Sequence, residues 1–177
     1  RSRFETLLNQ PDQSFLLGRI AVVLADYDHK ASKRALSALA KSDDAEAILQ
    51  TLEKIAVSVP DWPWATEKTL LRNLIIKGGG VRDLFWKGLA EGHCAVLVER
   101  LRSANDILDS LPDVIRPEDL VSISSQQAEL LVHIFSINPT HLTRSKDLSI
   151  AAATCPMPDV SALAISILEA RDKIRTI

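Results

Sequence analysis

An all-α fold is predicted, and three observations predict it. Apolar residues recur at i, i+3 and i+4 along nearly the whole chain. No stretch alternates β-branched and polar residues as a half-buried strand would, and no Asn-Gly or Asp-Gly pair offers a hairpin turn. Capping residues, prolines and glycines punctuate the apolar stripes at intervals of one helix.

Taken in order, a first helix covers about 2–9 and stops before Pro11. Asp12 is placed to cap a second, 13–27, which carries Leu16, Leu17, Ile20, Val23 and Leu24. A third, 30–41, follows Asp28-His29. Asp43 with Glu46 three residues on reads as a capping-box variant that opens a fourth, with Ile48, Leu49, Leu52 and Ile55 on one face. "VPDWPW" (59–64) is a rigid connector. A fifth helix, 65–77, carries Leu70, Leu71, Leu74 and Ile75. The sixth, 80–91, places Val81, Leu84, Phe85 and Leu89 together, and a long seventh runs the stripe Leu97, Leu101, Ala104, Leu108, Leu111 until Pro112. Pro117 suits the first turn of a short helix, 117–122. Ser124 and Gln127 form a capping box before Leu130, Leu131, Ile134 and Phe135. Asn138-Pro139 opens a helix to about 153, and a last one spans 159–176. This is about ten short antiparallel helices with links too short for a linker, so one domain over 1–177 is expected.

Composition narrows the functional classes. Apolar residues at 46% and charged residues at 25% describe a folded chain rather than a disordered one. No apolar run approaches the ~20 residues that span a bilayer, so no membrane partner is expected. Cys94 and Cys155 stand far apart without a CxxC partner, which argues against a disulfide scaffold and for an intracellular setting, cytoplasmic or nuclear. The opening "RSRFETLLNQ" reads as part of a larger protein. Net charge is only −2, but it is distributed in alternating blocks: residues 1–41 hold seven Lys/Arg against four Asp/Glu, and 42–62 hold one against five.

The segment "PDVSALAISILEARDKI" (158–174) sets an aspartate before Val160, Ala164 and Leu168 at four-residue steps. It resembles the second helix of a HEAT-type repeat, with Ser161 where that pattern usually has arginine. Helix pairs of repeat length occur at 13–41, 43–77, 80–111 and 124–153, although their sequences do not align with one another. The resemblance implies an α-solenoid of helix pairs, more than a compact bundle, and a role in binding partners.

Chemistry-bearing motifs are sparse. "KGGG" (77–80) lacks the Ser or Thr and the preceding strand of a phosphate loop, so it reads as a helix break. His29, His93, His133 and His141 form no HxxxH pattern, adjacent His93 and Cys94 point in different directions on a helix, and Cys94 with His133 would need the fold to join them. No catalytic residue, cofactor, metal or small-molecule substrate is expected. All three tryptophans, Trp62, Trp64 and Trp86, fall within 25 residues near Lys68, Arg72 and Lys87. Core packing is the first expectation for each, with Trp86, just beyond its helix stripe, the one expected to be partly exposed if any is. This cluster is the expected anchor for a protein partner. Basic stripes at Lys30, Lys33, Arg34 and at Arg171, Arg175 are the nucleic-acid alternative. A non-enzymatic scaffold or adaptor that binds protein within a complex is the expected function, with nucleic-acid binding second.

Overall fold

The computed structural model describes residues 2–10, 12–76 and 80–176, with backbone only at 105 and 106. Lys77, Gly78 and Gly79, the core of the glycine run, lie outside the described residues. Among those described, the chain is all-helical and contains no strand. The helices are α1 (Arg3–Leu7), α2 (Ser14–Ala25), α3 (His29–Leu39), α4 (Ala45–Ser58), α5 (Lys68–Ile75), α6 (Gly80–Ala90), α7 (Ala95–Leu101), α8 (Asn105–Leu108), α9 (Ser125–Ile137), α10 (Thr140–Arg144), α11 (Lys146–Ala153) and α12 (Pro158–Arg175). Two 3-10 turns, Leu111–Val114 and Pro117–Val121, precede α9.

Local chemistry sets most of these boundaries. Asp28 accepts from Ala31 N–H to start α3, and Ser124 accepts from Gln127 N–H while the Gln127 side chain accepts from Ser124 N–H to start α9. Four expectations shift. Asp44, not Asp43, caps α4 by accepting from Ala47 N–H, because it also accepts a bond from Ser14 Oγ at 2.6 Å. Asp12 caps nothing: α2 begins at Ser14 after Gln13, which makes no side-chain cap bond. The long seventh helix breaks after Leu101, where Ser103 Oγ donates to Arg100 O and the chain turns. The turn still leaves Ala104, Ile107, Leu108 and Leu111 all buried. Finally, the helix expected over 138–153 divides at Ser145, whose extended backbone and hydroxyl cap α11 through Leu148 N–H.

The described chain falls into two compact units. The first holds residues 1–87 and 94–110, the second 88–93 and 111–177. In the first, α2 packs on α3 and α4, α4 on α7, and α5 chiefly on α3. Leu70, Leu71, Leu74 and Ile75 thus pack chiefly toward α3, with smaller contacts to α8 and to α4, the partner expected in the 43–77 pair. Leu17, Leu36, Leu39, Leu52, Ile55 and Leu71 form the fully buried centre. In the second unit, α12 packs on α9 and α11, and α11 packs on the Pro117–Val121 turn and α10. Its centre includes Leu120, Leu131, Phe135, Leu142 and Val160. No helix among the described residues is long and apolar enough to cross a membrane.

Candidate interaction site

The tryptophans belong to the core. Trp62, Trp64 and Trp86 are 3%, 4% and 4% exposed, which corrects the expectation of a partly exposed Trp86. For Trp62 and Trp64 the reason lies in the connector: the turns at Val59–Trp64 fold it back, so Trp62 meets Trp64 at 4.6 Å between ring centroids and His29 edge-on at 5.8 Å. Indole Nε1 of Trp62 and of Trp64 is buried without a hydrogen-bond partner among the described residues. The cations grouped with these rings remain at the surface. Lys68 and Arg72 are exposed on α5, and exposed Lys87 pairs with Asp83 at 3.2 Å one turn earlier. None of the three lines either basic groove described next.

The two basic stripes each line a groove. In the first unit, Lys30, Lys33 and Arg34 of α3 face α1 across a groove of about 570 Å³. Arg34 pairs with Glu5 of α1 at 2.7 Å, and its guanidinium lies over the Phe4 ring at 5.5 Å. Lys33 Nζ reaches Glu67 at 2.9 Å and His29 Nε2 reaches the same oxygen at 3.2 Å. Burial pushes the Glu67 carboxyl up, and the Lys33 and His29 contacts outweigh it, holding the group below its ordinary value. Lys41, about two turns past the expected stripe, also lines this groove and is not part of that stripe.

In the second unit, Arg171 and Arg175 of α12 line a groove of about 560 Å³ against α10 and α11. They are joined by Arg144 and Lys146, which flank the Ser145 break, and among the described residues no carboxylate lines the groove. Arg171 Nη1 donates to Thr143 O at 3.2 Å, which fixes its guanidinium on the wall. The apolar part is Ile150, Ala153 and Leu168, with Ile150 53% exposed. Ile150 and Thr154 also line a second hollow of about 540 Å³, bounded by Pro117, Val121 and Pro156 and by the carboxylates Glu118 and Asp147. Val121 there is 74% exposed. The two hollows share Ile150 and Thr154, so along α11 a track leads from the cationic groove to the acidic-rimmed hollow.

Of the nucleophile candidates, Cys94 is enclosed by its surroundings. Cys94 is buried and caps α7 in the left-handed region at φ 64°, while its N–H donates to Glu53 Oε1 at 2.9 Å. Burial first, and the adjacent Glu53 carboxylate second, push its thiol up to about 12. His93 beside it is exposed, and His133 is half-buried in the other unit. Among the described residues, no group of three or more His, Cys, Asp or Glu side chains is placed to hold a metal ion. No protein-family model, curated protein or solved structure matches this chain.

Proposed function

We propose that this chain is a non-enzymatic helical interaction module, built of HEAT-like helix pairs, whose α11 face docks an acidic and partly apolar segment of a protein partner. One observation carries the reading: the α10–α12 groove presents Arg144, Lys146, Arg171 and Arg175, an apolar floor at Ile150 and Leu168, and no carboxylate among the described residues. Four cations, one of them held on the wall by Thr143 O and none facing a carboxylate among the described lining residues, favour an anionic occupant and steer its approach. The exposed Ile150 and half-buried Leu168 reward an occupant that also buries apolar surface, at roughly 25 cal/mol per Å². A nucleic-acid strand uses cations of this kind with aromatic platforms for its bases, and no Phe, Tyr or Trp lines either basic groove. Nucleic acid is accordingly the second reading, supported by the fact that both basic stripes line grooves.

The reading is tested by fluorescence anisotropy with a labelled twelve-residue peptide of Asp and Glu interspersed with Leu. A Kd on the order of 10 µM is expected, about −7 kcal/mol. Arg171→Glu/Arg175→Glu is expected to weaken binding about tenfold or more, with an unchanged circular-dichroism spectrum. A single-stranded twelve-nucleotide DNA bound more tightly than the peptide would transfer the assignment to nucleic acid.

A further inference from the structure

The α1–α3 groove differs from the α11 track in one respect that decides its ligand. Lys30, Lys33, Arg34, Ser37 and Lys41 stand at i, i+3, i+4, i+7 and i+11, the spacing that usually carries an apolar seam. Here it carries four cations and a hydroxyl, all on one wall of the same groove. The apolar lining is slight: Ala38 is buried and Leu8 is half-buried, so an occupant finds charge to meet and little apolar surface to cover. One oxyanion already sits there, since the Glu5 carboxylate is the partner of Arg34. Lys30 and Lys41 are exposed and have no ion-pair partner among the described residues. Lys30 stands in the first turn of α3 and Lys41 just past its end, so nearly the whole helix, about 14 Å at ~1.5 Å per residue, separates them, and a single phosphate meets cations of only about one turn.

We infer that this groove is a binding site for a compact anion bearing several phosphate groups, with Lys30 and Lys41 gripping its two ends. Arg34 forms the middle of the site when it exchanges Glu5 for ligand oxygens, a bidentate geometry that suits phosphate as well as carboxylate. Lys33 stays paired with Glu67 and supplies field more than contact. The groove volume is that of a small-ligand site. The inference does not rest on the α11 track, which belongs to the other unit.

The probe is sodium tripolyphosphate, titrated into the intact chain by calorimetry at 100 mM NaCl. A Kd on the order of 100 µM or tighter is expected, against no measurable heat from sulfate at matched ionic strength. Lys30→Glu/Lys41→Glu is expected to weaken binding at least tenfold, and both side chains are exposed enough to leave the fold intact. Glu5→Gln, which frees Arg34, is expected to tighten it about threefold, whereas Glu169→Gln, the same charge change in the other unit, leaves it unchanged. Phosphatidylcholine vesicles with 5 mol% phosphatidylinositol bisphosphate separate the sources. Vesicle binding competed by tripolyphosphate assigns a lipid headgroup, and tripolyphosphate binding without vesicle binding assigns a free ligand. No heat with tripolyphosphate, an equal effect of Glu5→Gln and Glu169→Gln, or tighter binding of a twelve-nucleotide DNA through the same lysines would overturn the inference.

Discussion

Glu67 shows how one side chain ties the sequence to pH behaviour. Its carboxylate joins Lys33 and His29, and these contacts hold its pKa below the ordinary 4.5 despite burial. A depressed carboxylate adds stability that is present above the unfolded value and is lost as pH falls through the folded one. Urea midpoints should therefore drop from pH 6 to pH 3, and Glu67→Gln should flatten part of that drop. Asp44 acts in the same direction, held low by the Ser14 hydroxyl and then by Ala47 N–H. Trp64 gives an opposite kind of case. Its Nε1 is buried and unpartnered among the described residues, a burden of about 1–3 kcal/mol. Trp64→Phe removes that donor along with some packing, so unfolding free energy should change by less than about 1 kcal/mol. Trp64→Ala should cost about 3–5. The sequence signals near these residues were mixed. The basic spacing of α3 was readable because 3.6-residue periodicity places Lys30, Lys33 and Arg34 together whatever they pack against. The fate of the tryptophans was not, because it depends on where a proline-bounded connector folds back.

Helix boundaries follow side-chain competition for a few backbone groups. Ser124 and Gln127 were legible as a cap because no neighbour offers the same chemistry. Asp43 and Asp44 were not separable, since either carboxylate reaches an N–H and only the distant Ser14 selects between them. Ser145 was missed because a single serine inside an amphipathic run reads as surface. The missed break also hid Arg144 and Lys146, which belong to the groove only because the chain turns between them. Packing between α2 and α4 offers a test. A methyl on Gly18 would collide with Thr51 Oγ1, which is buried and donates to Ala47 O at 2.7 Å. Alanine gains about 1 kcal/mol in helix propensity but overpacks at a cost of about 1–3. Gly18→Ala should lower stability by about 1 kcal/mol, and adding Thr51→Ala should recover part of the loss in a double-mutant cycle.

For the molecule as a whole, charge placement outweighs charge total. The chain has a net charge of −2, yet two grooves each present several cations with at most one carboxylate in the lining. Opposite charges interleave along the sequence in helix-pair blocks, and folding gathers two groups of positive ones onto groove walls. Acidic-peptide binding at the α11 track should weaken about tenfold between 50 and 300 mM NaCl, as the Debye length falls below about 10 Å. Binding that did not respond to salt would mean that Ile150 and Leu168, not the arginines, dominate.

The hexapeptide Gly88–His93 has a practical consequence for anyone dividing this chain. It belongs to the second unit although residues 94–110, which follow it, return to the first. Leu89 within it is fully buried, and its carbonyl accepts from Ser124 Oγ at 3.1 Å, beside the cap of α9. A truncation that starts at Leu111 would leave that hydroxyl without its acceptor and the leucine on the discarded piece. A recombinant fragment should instead carry the hexapeptide grafted ahead of Leu111 through a flexible spacer, or receive it as a synthetic peptide added in trans.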